Sequence, residues 1–191
     1  FENKAALRRE IRRPLSFPSL PFFFPLPLFP PFPPPALSCF LRVALAAGFP
    51  LLETSVRRPK AYVARIQPRG AKFLPPCARV RAAGSLQGLG ADAVSIVGFE
   101  CAGHPGLDDI TTLILVPLSV DSVTIPVIAG GGFVDGRGLV AALARGAEGG
   151  RRGTRFLATK ECPAHENVKN WVLKASDSDT MIIQRSFQGN V

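Results

Sequence analysis

From Val43 onward, short apolar runs alternate with helix-like stretches. This alternation narrows the choice of fold more than any other feature, because strands separated by helical crossovers pair in parallel. FPLLET (49–54) reads as a strand, and PKAYVARI (59–66) as a helix with proline in its first turn. AKFLP (71–75) is the next strand, followed by a helix through ARVRAAGSLQGLG that Gly84 and Gly88 weaken. DAVSIVG (92–98) is a clear strand, and DDITTLILVPLSVDSV (108–123) supplies a helix that Pro117 is expected to kink or end. IPVIAGGG (125–132) is a buried strand running into glycines, and DGRGLVAALARGA (135–147) is an amphipathic helix. EGGRRGTRF (148–156) opens a further unit, giving about five β-α units and an α/β fold.

The first forty residues differ. Ten prolines lie between Pro14 and Pro35, and one proline in a helix interior costs roughly 3 kcal/mol, so no membrane-spanning helix is expected and polyproline II is the default. PLFP and PFPP could serve as P-x-x-P ligands for aromatic-lined grooves. Apart from Ala36 and Cys39, residues 14–40 are all Pro, Leu, Ser or Phe, the residues of pyrimidine-only codons. A translated polypyrimidine tract, such as an intron end, would read this way. Residues 1–43 are therefore expected to be a disordered Pro/Phe-rich segment and residues 44–191 the folded domain; the initial Phe1 suggests sequence missing upstream.

The net charge of +9 prompts a search for a nucleic-acid or anionic-membrane face. RREIRR, RRPK and RRGTR lie far apart without interleaved aromatics, which favours a solvated basic surface over a nucleic-acid groove. Cys39, Cys77, Cys101 and Cys162 show neither C-x-x-C nor zinc-ligand spacing, so free thiols, as in a reducing compartment, are expected.

Ligand sites in parallel α/β folds lie at the carboxyl ends of strands. Gly130, Gly131 and Gly132 stand at one such end, where bare backbone amides approach an anion closely and the helix starting near Gly136 adds its positive end. A tight turn needing positive φ would explain one or two of them. Gly153 and Thr154 offer a similar site in the next unit, so two adjacent loops converge on one phosphate. His104, between Gly103 and Pro105 beyond another strand end, is suited either to accept a proton or only to hydrogen-bond the loop backbone. His165 reads as a helix cap or surface residue.

GADAVSIVGFECAGHPG, IPVIAGGGFVDGRGLVAALARGAEG and GTRFLATKECPAHENVK together closely resemble nitronate monooxygenases, formerly 2-nitropropane dioxygenases. The resemblance implies an FMN-dependent (β/α)₈ TIM barrel that oxidises alkyl nitronates, such as propionate 3-nitronate, with O2 to carbonyl compounds and nitrite. It implies His104 as the base acting on neutral nitroalkanes, Gly131, Gly132, Gly153 and Thr154 at the FMN phosphate, and Ala102 where a backbone amide approaches the flavin. FMN-dependent enoyl reductases share this barrel and are the nearest catalytic alternative; a non-catalytic barrel remnant is the other. A complete barrel takes about 250 residues, so a partial barrel is expected, its later half only, with self-association through exposed edges. Where the family's strand before GTRF is apolar, this chain has GGRR, and Arg151 or Arg152 in the core would cost several kcal/mol unpaired.

Overall fold

The computed structural model describes residues 23–26, 34–54, 60–103, 105, 106 and 108–181. Seven strands occur among them: β1 (Phe23–Leu26), β2 (Leu51–Thr54), β3 (Lys72–Phe73), β4 (Pro76–Cys77), β5 (Val94–Val97), β6 (Val127–Gly130) and β7 (Gly149–Arg151). The helices are α1 (Pro34–Ala46), α2 (Lys60–Ile66), α3 (Val80–Gly88), α4 (Thr112–Val120), α5 (Gly136–Ala144), α6 (Thr154–Leu157) and α7 (Glu166–Lys174), with a 3₁₀ turn at Gln67–Arg69. The strands form sheets of order β1-β2-β3 and β4-β5-β6-β7. The pairings of β1 with β2, β2 with β3 and β6 with β7 are parallel; helical crossovers connect their strands, and the α/β reading of the alternation holds.

Two compact units divide the described residues. The first comprises those up to Cys77, with Arg81–Ser95 and Ser122–Pro126. Here β1 pairs with β2 from Phe23↔Leu51 to Leu26↔Thr54, and β2 with β3 through Leu51↔Lys72 and Leu52↔Phe73. Leu41, Leu52, Ile66 and Phe73 are its fully buried apolar centre. The Asp92 carboxylate accepts from the Phe73 amide at 2.8 Å and from Lys72 Nζ at 2.7 Å, which fixes the entrance to β5.

Two segments of the proline-rich run are regular where polyproline II was expected. Phe23–Leu26 is a strand, and Pro25 is tolerated there because β1 lies at the end of its sheet, where a missing N–H need not break a ladder. Pro34 and Pro35 open α1, where the first-turn amides have no intrahelical acceptor to lose. This one helix crosses the boundary expected between residues 43 and 44, and it buries Cys39 and Leu41. The rest of residues 1–33, including both P-x-x-P stretches, lies outside the described residues.

The second unit comprises Ala78–Val80, Ile96–Asp121 and the described residues from Val127. β6 pairs with β7 through Ile128↔Gly149, Ala129↔Gly150 and Gly130↔Arg151, and Leu115, Val116, Val127, Ala129 and Ala142 are buried around this ladder. Of the two outcomes expected at Pro117, an end does not occur: α4 runs through it to Val120. The proline cannot donate to the Leu113 carbonyl four residues back. Instead, Arg145 Nη1, just beyond α5, donates to that carbonyl at 3.0 Å.

This substitution of a side-chain donor for a main-chain one predicts non-additivity. Arg145→Met should lower stability by about 1 kcal/mol in the native background. In Pro117→Ala, which restores the backbone bond, the same change should cost little. Urea midpoints of the four proteins check this; equal costs in both backgrounds would show that Arg145 does not replace the missing donor.

Candidate functional site

The carboxyl ends of β5, β6 and β7 lie in the second unit, and one buried hydroxyl joins the first two. Thr112 Oγ1 accepts from the Gly98 amide beyond β5 at 2.9 Å and donates to the Gly130 carbonyl at the end of β6, also at 2.9 Å. Thr112 is 1% exposed, so both strand-end groups depend on it for a partner. A Cβ at Gly98 would collide with the Glu100 carboxylate and the Thr112 amide. Glu100 in turn accepts from the Thr112 amide at 3.0 and 3.2 Å, taking the capping role at the start of α4 that the Thr111 side chain leaves unfilled.

Gly131 and Gly132 have φ of +90° and +77°, the left-handed region that favours glycine. A Cβ on Gly131 would stand 3.0 Å from the Cys101 amide nitrogen and 3.1 Å from Thr112 Oγ1. The loop after β5 therefore packs directly on the loop after β6. Exposed Ala102 follows Cys101, and Gly103 has φ +83°. His104 lies outside the described residues. Beyond it, Asp108 accepts from Arg79 Nε at 2.5 Å and Nη2 at 3.0 Å, and this guanidinium holds the Asp108 carboxyl below its usual range. Of the described residues on either side of His104, Glu100 is held by Thr112 and Asp108 by Arg79.

The positive end of α5 is already engaged. Asp135 is its N-cap, accepting from the Gly138 amide at 3.1 Å and from Arg137 at 2.6 and 2.9 Å. The Arg137 hydrogen bond first, and then the Gly138 amide, pull the Asp135 carboxyl from 3.8 to about 2. The expectation that this helix end is offered to an anion is corrected: a carboxylate of the chain itself takes it.

The loops after β6 and β7 are tied together by arginines. Arg152 Nη2 donates to the Asp135 carbonyl at 3.0 Å, and Arg155 Nε to the Val134 carbonyl at 3.4 Å. The feared unpaired charge does not arise, since Arg151 is also partnered and both side chains are half-buried, although Arg152 Nε is buried with no partner among the described residues. Strand β7 forms despite its sequence because Gly149 and Gly150 allow close packing; a Cβ on Gly150 would be 3.1 Å from Leu139 Cδ1. Gly153 differs from Gly131. Its φ is −114°, and a Cβ there would meet nothing within 4 Å, so neither strain nor packing calls for glycine. Exposed Thr154 begins α6 beside it.

The structure thus brings Gly131 against the Cys101 backbone and Gly132 against the Glu100 side chain, shows no such contact for Ala102 among the described residues, and ties the segment around Gly153 and Thr154 to the residues that follow Gly132. Sequence reasoning missed Glu100, Thr112, Arg152 and Arg155 as the parts that hold these loops. His165, expected as a cap, caps α7, with Nδ1 accepting from the Asn167 amide at 3.1 Å.

Parallel strands, helical crossovers and loops gathered at strand carboxyl ends define an α/β protein built as part of a (β/α)₈ barrel. A family model described as nitronate monooxygenase matches residues 44–191, and the chain belongs to that family. It is 41% identical over 123 residues to a (3aS,4S,5R,7aS)-5-hydroxy-7a-methyl-1-oxo-octahydro-1H-indene-4-carboxyl-CoA dehydrogenase of Rhodococcus jostii, covering 64% of this chain and 34% of the relative. It is 34% identical over 137 residues to a probable nitronate monooxygenase of Staphylococcus aureus, covering 68% and 38%. Among solved structures, FabK from Thermotoga maritima, in its M276A mutant, is similar with a TM-score of 0.86 and 34% identity, over 95% of this chain and 60% of that one. Nitroalkane oxidase from Streptomyces ansochromogenes has a TM-score of 0.79 and 25% identity, over 88% and 60%. The alignments span about a third of the length of these curated relatives.

Two outcomes test the site's scaffold. Thr112→Val keeps the shape but leaves the Gly98 amide and Gly130 carbonyl unpartnered, and should lower stability by about 3 kcal/mol in urea denaturation. A carboxyl whose folded pKa is depressed adds stability above its unfolded value, and that stability is lost as pH falls through the folded one. The native urea midpoint should therefore drop between pH about 4 and about 2, and Asp135→Asn should drop less over the same window. Identical slopes for the two proteins would mean that the cap carries no such linkage.

Proposed function

We propose that this chain forms part of an FMN-dependent oxidoreductase that oxidises alkyl nitronates with O2 to carbonyl compounds and nitrite. The observation that carries this reading is the joining of two glycine-containing loops from successive β-α units through Arg152 and Arg155, in a chain of the nitronate monooxygenase family. The residues fit a flavin phosphate: Gly153 and exposed Thr154 face open space where a side chain would have stood, and two guanidiniums lie in the adjoining segment. The amides of Gly131, Gly132 and Gly153 and the Thr154 hydroxyl would hold that phosphate, with the Ala102 amide toward the ring. Bound FMN supplies the electron acceptor between substrate and dioxygen. His104 would take the proton from the carbon next to the nitro group of a neutral nitroalkane, a step that a preformed nitronate does not need.

A reductase acting on enoyl thioesters is the second reading. It is favoured by the higher similarity to FabK than to nitroalkane oxidase and by the CoA-ester dehydrogenase among the relatives.

Titrating FMN onto the full chain, followed by flavin absorbance and fluorescence, tests the first proposal. Gly131→Asp is a poor control because a side chain at φ +90° strains the fold by itself. Gly153→Asp meets no clash, so it should leave the melting temperature unchanged while weakening FMN by about tenfold or more through repulsion of the phosphate. Equal FMN affinity in both proteins would remove Gly153 from the site. In turnover assays, His104→Ala should abolish oxidation of neutral nitroalkanes yet spare that of preformed nitronates. Oxidation of NADH or NADPH by an enoyl thioester, without O2 uptake on nitronates, would select the second reading.

A further inference from the structure

The first unit holds a cleft of about 260 Å³, lined by Arg42 and Leu45 of α1, Ala64 and Arg65 of α2, and Pro68 and Arg69 of the 3₁₀ turn. Arginines from three successive elements line it, and no acidic side chain is in the lining. Arg42 and Arg69 are exposed and have neither an ion-pair nor a hydrogen-bond partner among the described residues. The surrounding sequence is rich in cations. From Arg42 to Arg69 there are six Lys or Arg and one acidic residue, Glu53, which is 1% exposed. Like charges gathered around a concavity with low-dielectric walls raise the local potential and attract anions.

The helix dipole does not account for this arrangement. Cations at the ends of α2 and the 3₁₀ turn complement exposed carbonyls, which would suffice for Arg65 and Arg69 taken singly. Arg42, by contrast, lies inside α1, whose last turn holds no basic residue. Nor is the cleft at a usual substrate position. It is formed near the ends of α1 and of the α2–3₁₀ segment, which lead into the amino ends of β2 and β3, whereas substrates in such folds bind at carboxyl ends.

We propose that this cleft is a second anion site, which takes the phosphate or diphosphate group of a small phosphorylated molecule. Planar guanidinium forks match phosphate oxygens two at a time, which suits arginine better than lysine for this task. Leu45, Ala64 and Pro68 give one wall an apolar surface for the carbon portion next to the phosphate. The volume is below that of pockets enclosing a drug-sized ligand, roughly 300–1,000 Å³, so the cleft holds the anionic end and leaves the remainder outside. The inference does not depend on the flavin reading.

Isothermal titration of inorganic pyrophosphate onto the full chain tests it, with Arg42→Ala, Arg69→Ala, Arg69→Lys and Gly153→Asp compared. Both arginines are exposed, so circular dichroism melts should be unchanged. Saturable binding is expected, weakened about tenfold by each alanine. Arg69→Lys should fall between, and in Gly153→Asp the saturable binding that the alanine variants weaken should persist. Absence of saturable binding, or binding lost in Gly153→Asp and kept in both alanine variants, would overturn the proposal. So would displacement by chloride as effective as by phosphate, since that marks surface charge alone, or binding confined to phosphatidylserine vesicles with none to free pyrophosphate.

Discussion

The Thr112 hydroxyl is the interaction on which the strand-end loops depend. Its position at the start of α4 lets one buried oxygen serve an amide beyond β5 and a carbonyl at the end of β6. Burial makes the bridge strong, because no water competes for either partner. The same constraint explains the glycines around it. Gly98 has no room for a side chain beside the Glu100 carboxylate and the Thr112 amide, and Gly131 turns through left-handed backbone against the Cys101 amide. The loop that leads to His104 starts from this knot.

Arginine has a second recurring role, as donor to main-chain carbonyls exposed by irregular backbone. Arg145 serves the carbonyl orphaned by Pro117, while Arg152 and Arg155 serve two carbonyls between β6 and α5. These guanidiniums explain part of the positive charge as structure. Those at Arg42 and Arg69 have no such carbonyl among the described residues, which distinguishes them from these three.

Periodicity revealed the order of strands and helices because each element buries its own apolar residues, and burial is a local property of sequence. The failures were long-range. Pro117 looks like a helix breaker until Arg145, 32 residues beyond Leu113, is brought to the orphan carbonyl. GGR looks unfit for a strand until Gly150 is seen to make room for Leu139 of α5. The anion-ready end of α5 was misjudged for a local reason: Asp135 precedes Gly136 in sequence and could have been recognised as the cap. Within the candidate site, glycine spacing pointed to the loops after β6 and β7, but Glu100 and Thr112 belong to no short motif, and their roles appear only when strand ends are adjacent. The proline-rich run was read from composition alone, and composition does not distinguish a first-turn or edge-strand proline from one in a helix interior.

Gly131 and Gly153 look alike in sequence but answer to different constraints. The fold rejects any side chain at 131, through both its backbone angle and its neighbours, and rejects none at 153. A lineage that had lost its ligand would have to retain the first glycine merely to stay folded, while the second would be free to drift. Position 153 is therefore answerable to nothing within the fold, whereas position 131 is bound by it whatever the protein does.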